Sequence, residues 1–247
     1  MIDVCWLEQF EADVPVDNDW LCTNELAVLD RLRFPKRRAD WRLGRWTAKL
    51  ALATYLDEPD NFYTLERIEI RAAPSGAPDV FLDGKPAPAT LSISHRSGAA
   101  MCAVARPDVA LGCDLEVIEP RSDAFIADYF SASEQASLLR ASVADRQLLI
   151  ALLWSAKESA LKALHEGLRI DTRSVVVDPR LSIPIQPETW YPLHVSIASG
   201  PSFRGWWQAA GDFLRTVVAD PPPQVPVRTK KVPGWLKAYF VGSLAVR

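Results

Sequence analysis

This chain is poor in the residues that hold soft metals or cross-link a fold. Its 247 residues include four cysteines, Cys5, Cys22, Cys102 and Cys113, and three histidines, His95, His165 and His194. No two cysteines form a Cys-x-x-Cys pair, and no zinc-site spacing is present. Scattered cysteines of this kind read as reduced, mostly buried thiols of a cytoplasmic protein. Long apolar runs are missing too, so no membrane span is expected. The opening Met1-Ile2-Asp3-Val4-Cys5-Trp6-Leu7-Glu8 lacks the basic stretch and apolar run of a secretory signal. A formal net charge of -3 argues against bulk nucleic-acid binding while leaving room for local basic patches. The length suits one large domain or two small ones with a real apolar core.

The most informative stretch is Leu111-Gly112-Cys113-Asp114-Leu115-Glu116. Its alternation suits a strand with Leu111, Cys113 and Leu115 toward the core and Asp114 and Glu116 together on the other face. Two carboxylates so spaced lie roughly 7 Å apart at Cα, within reach of one hard cation such as Mg²⁺. Gly112 is expected to leave space beside them.

Before this strand, Thr23 or Asn24 can cap a helix running toward Arg33, and Pro35 then breaks the chain. A second helix is expected from Lys36 to Leu56. It sets Leu43, Trp46, Leu50 and Ala53 on one side and a basic stripe of Arg38, Arg42, Arg45 and Lys49 on the other. That stripe reads either as a solvated face or as a seat for an anion. Strands are expected over Arg67–Ala72, Leu91–His95, Met101–Ala105 and Val109–Glu116, with breakers at Pro74-Ser75-Gly76-Ala77-Pro78.

After Pro120, Ser131-Ala132-Ser133-Glu134 fits a capping box opening one helix, and a longer helix spans about Asp145 to Glu166, with Gly167 as its stop. That helix carries Trp154-Ser155-Ala156-Lys157-Glu158 and Lys162, in which Glu158 and Lys162 can pair at i, i+4. Ser174–Val177, His194–Ile197, Gly205–Ala209 and Phe213–Val218 read as strands that echo the first half in element order. Pro221–Pro226 reads as an extended linker, and Val227–Arg247 as a basic tail with Trp235, Leu236, Tyr239 and Phe240. The expected division is 1–110, 111–220 and a linker with tail over 221–247.

Three motifs therefore stand in order: Ser94-His95, Gly112-Cys113-Asp114-Leu115-Glu116, and Trp154-Ser155-Ala156-Lys157-Glu158 followed by Lys162. Together they resemble the signature of the Sfp-type 4′-phosphopantetheinyl transferases, over roughly residues 25–218. The resemblance implies an α+β, two-layer fold of two similar, pseudo-two-fold halves, each an antiparallel sheet packed by a long helix. It implies coenzyme A and Mg²⁺, or Mn²⁺, between the halves. By the same resemblance Asp114, Glu116 and Glu158 are metal-binding acids, Lys162 contacts the pyrophosphate, and Ser94 and His95 lie beside the nucleotide phosphates. Arg31 and Arg33 correspond to residues for the ribose 3′-phosphate, with Arg45, Arg71 and Gly76 as further coenzyme A contacts.

The implied reaction is transfer of the phosphopantetheine arm to a serine of an acyl or peptidyl carrier protein bearing an acidic helix. A cation and Lys162 would neutralise the charge that builds on phosphate oxygens, and Glu158, or else Glu116, would accept the serine proton. Departures from the pattern are Ala77 where the family loop commonly has lysine, Cys113 in place of a branched aliphatic, and Arg96 after His95. A non-catalytic binding module and a different Mg²⁺-dependent phosphoryl enzyme are the competing readings. One chain with two such halves is sufficient as a monomer.

Overall fold

Two helices of 21 residues, Pro35–Tyr55 and Val143–Ala163, each cover one mainly antiparallel sheet. The computed structural model describes residues 1–58, 61–166, 169–179, 185–198 and 200–229. In chain order the first part contains β1 (Cys5–Phe10), α1 (Thr23–Arg31), α2 (Pro35–Tyr55), α3 (Phe62–Arg67), β2 (Ile68–Ala72), β3 (Pro78–Leu82), β4 (Lys85–Pro86), β5 (Thr90–Arg96) and β6 (Ala99–Ala105). The second contains β7 (Ala110–Val117), α4 (Asp123–Tyr129), α5 (Ala132–Arg140), α6 (Val143–Ala163), β8 (Val175–Asp178), β9 (Tyr191–Ile197), β10 (Ser202–Ala210) and β11 (Phe213–Asp220), followed by β12 (Val227–Arg228). The sheets run β12-β1-β6-β5 and β7-β11-β10-β9-β8, with β2-β3-β4 a small third sheet.

The two large sheets pack face to face, so their strands are buried on both sides. Leu7, Leu91, Cys102 and Val104 meet α2 with Trp46 and Leu50. Trp6, Met101 and Ala103 meet Leu111, Cys113, Leu115 and Val217 between the sheets. Alanines dominate β6 because it is covered from both directions. The same sandwiching explains β7: Leu111, Cys113 and Leu115 fill the inter-sheet core, while Gly112, Asp114 and Glu116 lie under α6.

The echo between the halves extends to individual residues. Trp46-x-x-Lys49 in α2 and Trp154-x-x-Lys157 in α6 bring a fully buried lysine to a buried glutamate. Lys49 lies 2.5 Å from Glu25, and Lys157 lies 2.9 Å from Glu134. Each lysine also donates to two backbone carbonyls, Trp20 and Leu65 in one half and Thr172 and Val175 in the other. Each glutamate accepts from the amide at its helix N-cap and from a strand amide, Ile70 or Val177. Burial lowers the pKa of both lysines, and the glutamate opposite each works against that shift.

Several sequence expectations need correction. The N-cap of α1 is Cys22, with Glu25 reaching back to its amide, instead of Thr23 or Asn24. Pro35 opens α2 as its first residue, where a missing N–H costs nothing. Arg67 ends a helix the periodicity did not reveal, and β3 and β4 follow the Pro74–Pro78 breakers. The segment 221–226 is no free linker: Ile2 N donates to Pro222 O and Gln224 N to Ile2 O, and β12 pairs in parallel with β1. Gly167 and the tail aromatics lie outside the described residues.

Candidate active site

Asp114 and Glu116 are delivered by the regular alternation of β7, and both are buried, at 4% and 9% exposure. The helix above them supplies Trp154, Glu158 and Lys162 at spacings that return one face every turn. Lys162 Nζ donates to Asp114 Oδ1 at 2.8 Å and to the Cys113 carbonyl at 3.1 Å. Ser94 Oγ, from β5, donates to the same Asp114 oxygen at 2.7 Å. Trp154 Nε1 donates to Glu116 Oε1 at 3.2 Å, and Arg121 donates to Glu116 Oε2 at 3.0 Å.

These groups line a cavity of about 480 Å³ that also receives Glu158. Burial, then the charge of Asp114, raises the pKa of both Glu116 and Glu158. For Lys162, burial is the largest influence and disfavours the ammonium, but Asp114, Cys113 and Glu158 together outweigh it and the pKa ends raised. Asp114 Oδ2 is buried with no hydrogen-bond partner.

A second cavity of about 370 Å³ adjoins the first along β5. Trp41 and Arg45 from α2, Arg71 from β2, Gly76 and His165 line it. Ile93, His95 and Lys162 line both cavities, which are therefore two ends of one groove between the halves. Arg45 lies over the Trp41 ring at 5.0 Å from the centroid. Arg71 is held in a two-pronged pair with Glu69, at 2.8 and 2.6 Å. The ring of His95 is open to solvent on one side, and partial burial moves its pKa down, with Asp40 the largest opposing influence.

The structure brings together Ser94, His95, Asp114, Glu116, Glu158 and Lys162 at one end and Arg45, Arg71 and Gly76 at the other. Arg31 and Arg33 are exposed and line neither cavity. The basic stripe of α2 is mostly structural. Lys49 is sealed against Glu25, Arg38 donates to the Leu29 and Leu32 carbonyls, and Arg42 to those of Pro15, Val16 and Asp17.

Lys162 pairs with Asp114 across to the strand instead of with Glu158 along its own helix. Gly112 does not open space for a ligand: a Cβ there would lie 1.8 Å from the Ser159 carbonyl oxygen, so the glycine lets α6 press onto β7. Arg96 turns to Glu116 and Glu119. Trp41, Arg121, Trp154 and His165 were not legible as site residues. Of these only Trp154 carried a signal, as the first residue of a motif.

Among the described residues no three His, Cys, Asp or Glu side chains converge as a metal cage. The reason is visible in the contacts, since Asp114 Oδ1 is turned to Lys162 and Glu116 to two arginines. The donor set nevertheless suits a hard cation: three mutually repelling carboxylates, one with a buried unpartnered oxygen, are all oxygen donors.

Residues 110–207 match the model of the 4′-phosphopantetheinyl transferase superfamily, the family the three motifs resemble. This span begins at β7 and contains Asp114, Glu116, Glu158 and Lys162. Among curated proteins, the 4′-phosphopantetheinyl transferase HetI of Nostoc sp. (strain PCC 7120) is 30% identical over 155 residues, 60% of this chain. The chain spans 61% of that relative's length. Among solved structures, a holo-(acyl-carrier-protein) synthase from Bacillus anthracis str. Ames in complex with CoA is 20% identical, covering 42% of this chain and 95% of that one at a TM-score of 0.37. The Helicobacter pylori holo-[acyl-carrier-protein] synthase in complex with coenzyme A is 19% identical, covering 41% and 96% at a TM-score of 0.29.

Proposed function

We propose that this protein transfers the 4′-phosphopantetheine arm of coenzyme A to a serine of an apo acyl or peptidyl carrier protein, releasing adenosine 3′,5′-bisphosphate. The observation that carries the reading is the position of Lys162, whose side chain borders both an acid-lined and an arginine-lined cavity. A substrate with an anionic nucleotide at one end and a reacting diphosphate near its middle needs both ends of such a groove.

In this reading Arg45 and Arg71 receive the nucleotide phosphates, and Trp41 offers a flat apolar wall. His95, placed between the cavities, donates a ring N–H to a phosphate oxygen. Asp114, Glu116 and Glu158 hold Mg²⁺ or Mn²⁺, which when bound neutralises charge on the diphosphate oxygens. The carrier serine Oγ forms a bond to the β-phosphorus while the bond from that phosphorus to the bridging oxygen breaks. The serine proton passes to Glu158, and the electron pair leaves with the bisphosphate. Lys162 stabilises the oxygens on which charge grows. The carrier approaches with an acidic helix.

The protein works as a cytoplasmic monomer, a reading supported for the monomer by the two halves together supplying both walls of the groove and for the compartment by its four free cysteines. Among the described residues no helix is long and apolar enough to cross a membrane. Intact-mass measurement after incubation with coenzyme A, Mg²⁺ and an apo carrier tests the proposal, with Asp114→Ala alongside. Gain of one phosphopantetheine arm by the parent alone is expected. Coenzyme A binding without modification of any carrier would assign a non-catalytic module instead.

A further inference from the structure

One oxygen of Glu116 is shared between two arginines. Arg121 donates to its Oε2 at 3.0 Å, and Arg96 Nε stands 3.4 Å from the same oxygen. Both guanidiniums also reach Glu119, at 2.6 Å from Arg96 and 3.3 Å from Arg121. Two arginines and two glutamates thus form a neutral cluster at the mouth of the acid-lined cavity. Its inner member, Glu116, is buried, and its outer members are partly exposed, with 36% of the Arg96 side chain and 40% of the Glu119 side chain open to solvent. The hold is incomplete at one point, because Arg96 Nε is buried and makes no hydrogen bond.

An oxygen already shared by two guanidiniums has little left for a cation. The other oxygen, Oε1, accepts only from Trp154 Nε1 at 3.2 Å, so a cation that takes Glu116 there neutralises the charge that holds Arg121 and Arg96 and competes with them for the carboxylate. Once that happens, two positive side chains face Glu119 alone, and the rim changes from neutral to a net charge of +1. These arginines stand beside Ser94, Asp114 and Glu158, where the proposed protein substrate presents its serine.

We propose that Arg96 and Arg121 form a latch on Glu116, which cation binding opens, and that the freed guanidiniums then bind an acidic surface of the carrier protein. Metal loading and carrier docking are thereby linked. The identity of the partner rests on the function proposed above, whereas the latch itself does not. Linkage makes the effect reciprocal: whatever factor Mg²⁺ adds to carrier affinity, carrier adds to Mg²⁺ affinity.

The first measurement needs no carrier. Calorimetric titration of Mg²⁺ into the protein, without coenzyme A, is expected to show tighter binding by about tenfold in the double variant Arg96→Gln/Arg121→Gln. Arg146→Gln removes one charge from a pair with Asp123 outside the groove and controls for net charge; it should leave Mg²⁺ affinity unchanged. Equal Mg²⁺ affinity in the parent and the double variant overturns the latch.

The second measurement uses an apo acyl carrier protein whose acceptor serine is replaced by alanine, at physiological salt. Carrier affinity for the parent is expected to rise roughly fivefold or more with Mg²⁺, and the double variant should lose that rise. A rise undiminished in the double variant, or no rise in the parent, overturns the link. The parent comparison stands even if the double variant folds poorly. Failure of arm transfer with an intact Mg²⁺ effect in the first measurement would reject the proposed reaction and leave the latch standing.

Discussion

Lys162 occupies one oxygen of Asp114, at 2.8 Å, and the other oxygen of that carboxylate is buried without a partner. Among the described residues the ammonium is the only cation paired with Asp114, so its removal has a defined cost. Lys162→Met should destabilise the fold by about 1–2 kcal/mol. This is below the roughly 3–5 kcal/mol of a fully enclosed pair, because the lysine side chain keeps 28% of its surface. Urea denaturation with and without Mg²⁺ checks this, and Mg²⁺ should restore part of the loss. Arm transfer should fall at least a hundredfold even with Mg²⁺ saturating.

Glu158 sits where its charge is unwelcome. Burial, followed by Asp114, raises its folded pKa above the ordinary carboxylate value. Above that raised pKa the folded state carries a charge that is less favourable than in the unfolded chain, and the penalty disappears below the unfolded pKa, where both states are protonated. Glu158→Gln should therefore melt at a higher temperature than the parent at neutral pH, with the gap closing as pH falls through the acid range. It should also lose transfer at every Mg²⁺ concentration. Rescue of the variant by high Mg²⁺ would show that Glu158 acts as a ligand and not as the base.

Gly112→Ala tests how tightly α6 must lie on β7. The new Cβ meets backbone, the Ser159 carbonyl oxygen at 1.8 Å, which no side-chain rotation can relieve. A destabilisation of about 1–3 kcal/mol is expected. Transfer should drop too, since lifting the helix moves Glu158 and Lys162 together. A variant as stable and as active as the parent would mean that the helix shifts without disturbing the acids.

The repeated lysine anchors make a paired prediction. Lys157→Met leaves buried Glu134 without its cation and should cost about 3–5 kcal/mol, and Lys49→Met should cost somewhat less, because Arg45 Nε remains 3.8 Å from Glu25. Only the Lys157 anchor adjoins the acid cluster, through the neighbouring Glu158. At a temperature where both variants remain folded, Lys49→Met should keep close to the parent's kcat while Lys157→Met loses it. Equal kcat values for the two would separate the anchor from the site.

The site's acidic end was legible because it depends on local periodicity. Two residues of spacing on a strand put Asp114 and Glu116 on one face, and helical spacing put Glu158 and Lys162 above them. The Ser131–Glu134 capping box was legible for the same reason, since both of its bonds are local. What could not be read is which surface covers a given face. The regular arginine spacing of α2 indicates a stripe, but the backbone of residues 15–17, 29 and 32 decides that Arg38 and Arg42 face carbonyls instead of a ligand. Arg121 and His165 lie in connecting segments without periodicity, so their approach to the groove is set by tertiary packing. The prolines of 221–226 suggested a linker because proline cannot donate, yet Gln224, Val227 and Thr229 supply amides that bond to the carbonyls of Ile2, Val4 and Trp6.

That last contact bears on the order in which the molecule can be completed. On one side β1 pairs with β6, and on the other it waits for β12, which leaves the ribosome after every strand of the second sheet. Until then β1 presents an open row of peptide groups, the kind of edge through which nascent chains associate wrongly. The first half of the sequence is thus the first to be synthesised and the last to be sealed. Trp206 of the second sheet, donating to the Pro223 carbonyl, ties that closure to the half made later.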